Sequence, residues 1–144
     1  MPQDYADHHD AELVLRLYEL RREPVMRDSR AAIAAKFWPR TFDDIAEVLK
    51  ADNPLNAPFR QVVSYWEMAY SMARFGVINP EFLVESTGEG INFFARVHPF
   101  LDELRALRGP QELRNCDWIT TQTEAGKATF ARMRDRVAKA LATR

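Results

Sequence analysis

The stretch Phe59-Arg60-Gln61-Val62-Val63-Ser64-Tyr65-Trp66-Glu67-Met68-Ala69-Tyr70-Ser71-Met72-Ala73-Arg74-Phe75-Gly76 decides the fold. Apolar residues fill 59, 62, 63, 65, 66, 68, 69, 70, 72, 73 and 75. Arg60, Ser64, Glu67, Ser71 and Arg74 recur at steps of four, three, four and three, which draws one narrow polar line down an α-helix. A helix apolar on all but one stripe belongs in the middle of a bundle. The spacing therefore predicts a central helix over 58–76, closed by Gly76, the residue type best suited to a left-handed helix end.

Outward from this helix, proline and glycine fall between helical patterns, which is where proline is tolerated. Asp7 caps a first helix with Asp10 in its first turn, apolar positions Leu13, Leu17 and Leu20, and Arg21 and Arg22 at its cation-favouring end. Pro24 either kinks it or starts a second helix through Met26, Ile33 and Phe37, which Trp38-Pro39 stops. Thr41 with Asp44 reads as a capping box. Residues 51–58 read as a loop in which Asn56 can cap the central helix. Asn79-Pro80 starts a short helix and Ser86-Thr87-Gly88-Glu89-Gly90 reads as a turn. Helical spacing resumes at Ile91, is divided by Pro99, and breaks at Gly109-Pro110. The last stretch, through Trp118, Phe130, Met133 and Leu141, has its weak point at Gly126. No segment shows a period of two. The reading is all-α: one domain over 1–144, a compact multi-helix bundle of about six to eight helical segments.

Composition narrows the function classes. Of 144 residues, 47% are hydrophobic and 11% aromatic, enough for a sizeable core. Lys plus Arg number 20 against 21 Asp plus Glu, which leaves no electrostatic footprint for nucleic acid or an anionic membrane surface. The one cysteine, Cys116, cannot close a disulfide within the chain, and no Cys/His spacing resembles a zinc site. The N-terminal stretch is acidic and polar, and apolar runs such as Ile33–Ala35 are far too short to span a bilayer. The expected location is cytoplasmic.

Glu67 is the polar residue in the most apolar company, between Trp66 and Met68 in sequence and Val63 and Tyr70 in helical space. A carboxylate there is solvated, paired or protonated, because an unpaired buried charge is too costly to keep. The first expectation is an interhelical ion pair or hydrogen bond that fixes register, within a polar cluster of Glu67, Arg21, Arg22, Arg60 and Arg74. The second is a pocket between helices lined by Tyr18, Trp66 and Tyr70, with Glu67 as ligand or general base. His8, His9, Asp10 and Glu12 read as a solvated helix start rather than metal ligands, and no Glu-x-x-His pair supports a di-iron bundle. Gly88-Glu89-Gly90 lacks the third glycine and the preceding strand of a phosphate loop. Cys116 reads as a core thiol, His98 as a bend residue, and the Arg132, Arg134, Arg136 and Lys139 run as the solvated face of a terminal helix. No catalytic, cofactor-binding or metal-ligating residue is assigned, and no cofactor is expected.

Asp4-Tyr5-Ala6-Asp7, Leu17-Tyr18-Glu19-Leu20-Arg21-Arg22 and Tyr65-Trp66-Glu67-Met68 form a set with Phe75-Gly76-Val77-Ile78-Asn79-Pro80 and Gly88-Glu89-Gly90. Over roughly Asp4 to Trp118 the chain resembles a family of small bacterial helical domains of unknown function. That resemblance implies a bacterial cytoplasmic origin and a helical fold, and brings no activity or functional residue with it. The segment from Thr120 onward shares no resemblance.

Two functions follow as expectations. Sixteen aromatic residues, Trp38, Trp66 and Trp118 among them, together with two helices that carry more apolar side chain than one small bundle easily hides, point to an interaction or structural protein acting as a homodimer. The alternative is a small-ligand sensor or binding module with its pocket near Glu67. An enzyme would need a second catalytic group converging on Glu67, and the sequence names none.

Overall fold

Asp7 opens the chain's first helix as the sequence expects. Its side chain accepts the backbone N–H groups of His9 and Asp10, and Asp10 returns a bond to the Asp7 N–H, completing a capping box. The computed structural model describes residues 5–144, so Asp4, the first residue of the resembling segments, lies outside the described residues. Helix α1 runs His8–Arg21 and α2 Pro24–Lys36. Pro24 starts the second helix rather than kinking the first, because at N1 its missing N–H costs nothing. Thr41 and Asp44 form the expected capping box of α3, Phe42–Val48.

The central helix α4 spans Asn56–Arg74, with Gly76 just beyond it at φ +78°. Asn56 does not cap it. Leu55 holds the cap position, and Asn56, inside the helix and buried, donates from Nδ2 to the Val48 carbonyl and accepts from Arg60 Nε, tying α4 to the end of α3. Phe59, Val62, Tyr65, Trp66, Ala69, Tyr70 and Ala73 are buried, while Arg60 and Ser64 are exposed. Helix α2 packs along one flank of α4 and α8, Arg114–Gln122, along another. At the α2 side, Phe37, Phe59 and Phe93 form a ring cluster with centroids 5.3–5.8 Å apart.

Asn79 caps α5, Pro80–Ser86, with Pro80 at its first position. The expected turn at Gly88-Glu89-Gly90 is instead the beginning of α6, Glu89–Val97. Gly90 sits in its first turn because a Cβ there would overlap the Trp66 ring and the Tyr70 hydroxyl, so glycine lets the helix approach the aromatic side of α4. A 3-10 turn at His98–Phe100 carries Pro99 between α6 and α7, Leu101–Arg108. The C-terminal stretch divides at Thr123, three residues before the glycine expected as its weak point. Thr123 caps α9, Glu124–Ala142, by accepting the Gly126 N–H, and donates its own hydroxyl to the Ile119 carbonyl. Gly126 lies in the first turn of α9, where a side chain would collide with that same carbonyl. Helix α9 packs on α5, α6 and α8.

Among the described residues the structure is all-helical, and its buried apolar side chains form one core cluster with α4 in the middle. No described helix is long and apolar enough to cross a membrane.

Candidate functional site

Glu67 faces the start of α8, not an arginine. Leu113, the cap residue of α8, has φ +58° and no side-chain acceptor to offer. The first-turn N–H groups of that helix therefore need a partner from elsewhere. Glu67 Oε2 accepts the Cys116 N–H at 2.7 Å, and Oε1 accepts the Asn115 N–H at 3.2 Å and Asn115 Nδ2 at 3.3 Å. A carboxylate at the positive end of a helix is favourably placed, so Glu67 acts as a cap delivered from a neighbouring helix.

This overturns the proposed pairing of Glu67 with Arg21 or Arg22, and the polar cluster divides. Arg74 joins Glu67 indirectly, donating to Asn115 Oδ1 at 3.2 Å. Arg60 bonds Asn56 and is exposed. Arg22 is exposed, its guanidinium 5.8 Å from the Tyr18 ring centroid. Arg21 faces a different carboxylate, Glu89, at the start of α6.

Around Glu89 a second polar group assembles. Arg30 Nε lies 3.0 Å from both Glu89 oxygens, and Arg30 Nη1 donates to the Arg21 carbonyl, capping the end of α1. Arg21 Nη1 donates to Thr87 Oγ1 at 3.2 Å and reaches Glu89 Oε2 at only 3.5 Å. Two arginines thus share one carboxylate. The Arg21 guanidinium carbon is 5.0 Å from the Tyr18 ring centroid and 5.9 Å from that of Trp66, within cation–π range.

Beside Arg21 a pocket of about 270 Å³ opens between α1, α4 and α5. Val14, Leu15, Leu17 and Tyr18 form one wall, Tyr65 and Trp66 the floor, and Leu83, Ser86 and Thr87 the far side. Of the residues expected to line a pocket, Tyr18 and Trp66 do so and Tyr70 does not. Tyr70 lies behind Trp66, fully buried, with ring centroids 5.7 Å apart and planes at 26°. Among the described residues, neither Glu67 nor any other carboxylate lines this pocket. Burial pushes the Tyr65 hydroxyl up to about 12, so it stays protonated and donates to the Leu17 carbonyl at 2.6 Å. The Trp66 indole N–H and the Tyr70 hydroxyl are buried without a hydrogen-bond partner among the described residues, a concentration of unmet polar groups next to the pocket.

The other singled-out residues have structural surroundings. Asp10, expected to belong to a solvated helix start, is instead 1% exposed and accepts the Asn79 N–H at 2.8 Å, tying the start of α5 to α1. No three His, Cys, Asp or Glu among the described residues come together in a way that could hold a metal. Cys116 is buried, and burial first, then the charge of Glu67, push its thiol well above the ordinary range, away from nucleophilic thiolate. His98 packs between Phe94 and Phe130.

These features define an all-helical domain in which several polar side chains cap neighbouring helices and an arginine stands at one end of an apolar pocket. The chain belongs to the family described as Domain of unknown function (DUF4760), which matches residues 6–122, from the N-terminal edge of α1 to the end of α8. No curated protein and no solved structure matches the chain.

Proposed function

We propose that this chain is a small-ligand binding module whose site is the pocket between α1, α4 and α5. One observation carries the reading: a 270 Å³ concavity with mostly apolar walls and convergent polar groups, Arg21 and Thr87, at one end. That combination is the usual composition of a ligand site, with a volume just under the usual range of about 300–1,000 Å³. A wider recess beside Arg74 and Trp118 also contains Glu81 and Glu124, so its charges oppose one another within the wall. A thermal-shift screen over a metabolite library tests the reading, with Ser86→Phe as control. Ser86 is exposed at the mouth, so a phenyl group there blocks the pocket without entering the core. Compounds that stabilise the native chain and lose that effect in Ser86→Phe support it. A flat library, or hits indifferent to Ser86→Phe, would contradict it.

Self-association is the second reading, favoured by the exposure of Leu15, Leu20 and Val25 on α1 and the start of α2, at 62%, 40% and 55%. Light scattering on a sizing column that returns the 16.7 kDa of one chain argues against it. The single buried thiol suits a reducing compartment, and with the family resemblance it is the ground on which we place the module in a bacterial cytoplasm.

A further inference from the structure

The polar end of the pocket is built for an anion. Among the described residues Arg21 is the one charged side chain that lines it, and only 12% of that side chain is exposed. Its nominal counter-ion is largely committed elsewhere, since both oxygens of Glu89 lie 3.0 Å from Arg30 Nε. The trio of Arg21, Arg30 and Glu89 therefore carries a net charge of one positive unit. Arg21 uses only Nη1 among the described residues, so Nε and Nη2 keep donors to spare.

The hydroxyls sort in the same direction. Thr87 Oγ1 accepts from both Arg21 and the Glu89 N–H, which leaves its own proton free to donate. Ser86 and Tyr65 spend their protons on the Leu83 and Leu17 carbonyls. A guanidinium fork and one hydroxyl proton thus converge at one end, and Leu15, Leu17, Leu83 and the Trp66 ring supply an apolar remainder.

We propose that the pocket takes a small monocarboxylate with an apolar body, its carboxylate held by Arg21 and the Thr87 hydroxyl and its body seated against Leu17, Leu83 and Trp66. The proposal rests on the pocket reading above. A single net positive charge matches a monoanion, and a guanidinium fork fits a carboxylate in two-point geometry. An amine would meet Arg21 as a like charge.

Isothermal titration of the full chain with 4-phenylbutyrate, 4-phenylbutanamide and the C6 to C10 straight-chain fatty acids tests it. The acid is expected to bind about ten-fold more tightly than the matched amide. Arg21→Gln should erase that gap while the weak apolar affinity remains, and Thr87→Val should narrow it by about three-fold. Should Arg21→Gln lose its helical circular dichroism, the Thr87→Val result decides. Equal affinity of acid and amide for the native chain, or a gap untouched by either substitution, overturns the carboxylate assignment and leaves the pocket reading standing. No binding by any of these probes overturns the assignment, and the pocket reading falls with it only if the metabolite screen is flat as well.

Discussion

A methyl group at position 90 probes the packing behind the pocket most simply. Gly90→Ala puts that methyl against the Trp66 ring and the Tyr70 hydroxyl, and overpacking of a filled core costs about 1–3 kcal/mol. We expect the denaturant midpoint to fall, and an unchanged midpoint would mean that α6 does not press on the aromatic pair. Glu67 makes a complementary case. Glu67→Ala should cost about 1–2 kcal/mol, the scale of a lost helix cap, with Glu67→Gln costing less because an amide oxygen still accepts from the first turn of α8. A chevron or urea series in which neither substitution moves stability would remove Glu67 from the cap role. The position of Glu67 on a polar stripe was legible in the sequence, but its partner was not. The sequence leads to an interhelical ion pair or hydrogen bond with arginines as the candidate partners, whereas the bond is made to the backbone N–H groups of Asn115 and Cys116, and nearly every residue carries such a group. His98 gives the pH-dependent case. Burial, with smaller contributions from Arg134 and Arg105 against the opposing Asp117 and Asp102, lowers its pKa below the ordinary 6.5, so the folded chain favours the neutral ring. The unfolded chain binds that proton first as pH falls. The contribution is therefore fully present above 6.5 and is lost as pH drops below it, and His98→Gln should flatten the fall in melting temperature between neutral and mildly acidic pH.

Helix by helix, the recurring device is a polar side chain from one helix finishing the end of another. Arg96 on α6 donates to the Ile33 and Phe37 carbonyls at the end of α2 and stacks 3.7 Å from the Trp38 ring centroid. Arg40 reaches the Leu141 and Arg144 carbonyls at the end of α9, and Arg30 the Arg21 carbonyl at the end of α1. Burial draws Arg96 down to about 10, yet it remains charged at neutral pH, where a cation opposes the negative end of α2. Arg96→Ala should cost about 2 kcal/mol and Arg96→Lys nearly as much, because lysine keeps the charge but neither the fork nor the stacking plane. Amide exchange should accelerate first over the last turn of α2, and uniform acceleration across all helices would contradict a local cap. The local caps at Asp7, Thr41 and Asn79 were readable because each is a contiguous pattern of a few residues. The long-range caps were not, since a pairing such as Arg96 with Phe37 spans 59 positions and leaves no periodic trace.

For the whole molecule, the all-helical architecture and the central place of α4 followed from one amphipathic stripe and the spacing of proline and glycine. Where α6 begins did not follow, because Gly88-Glu89-Gly90 has turn composition and only tertiary packing against Trp66 explains a glycine inside a helix. The pocket was half visible: the aromatic residues suggested it, but its arginine was assigned to Glu67, and Thr87 carried no signal of its own. Seven of the sixteen aromatics are buried in the core and five more pack partly buried against it, which shifts the weight of the functional reading from self-association to the pocket. The most direct test of that reading is a nitrogen–proton correlation spectrum of the labelled full chain, titrated with small apolar fragments. The account predicts shifts concentrated at residues 15–21 and 83–87, together with the Trp66 indole, whereas fragments that perturb other faces and leave these residues unmoved would contradict it.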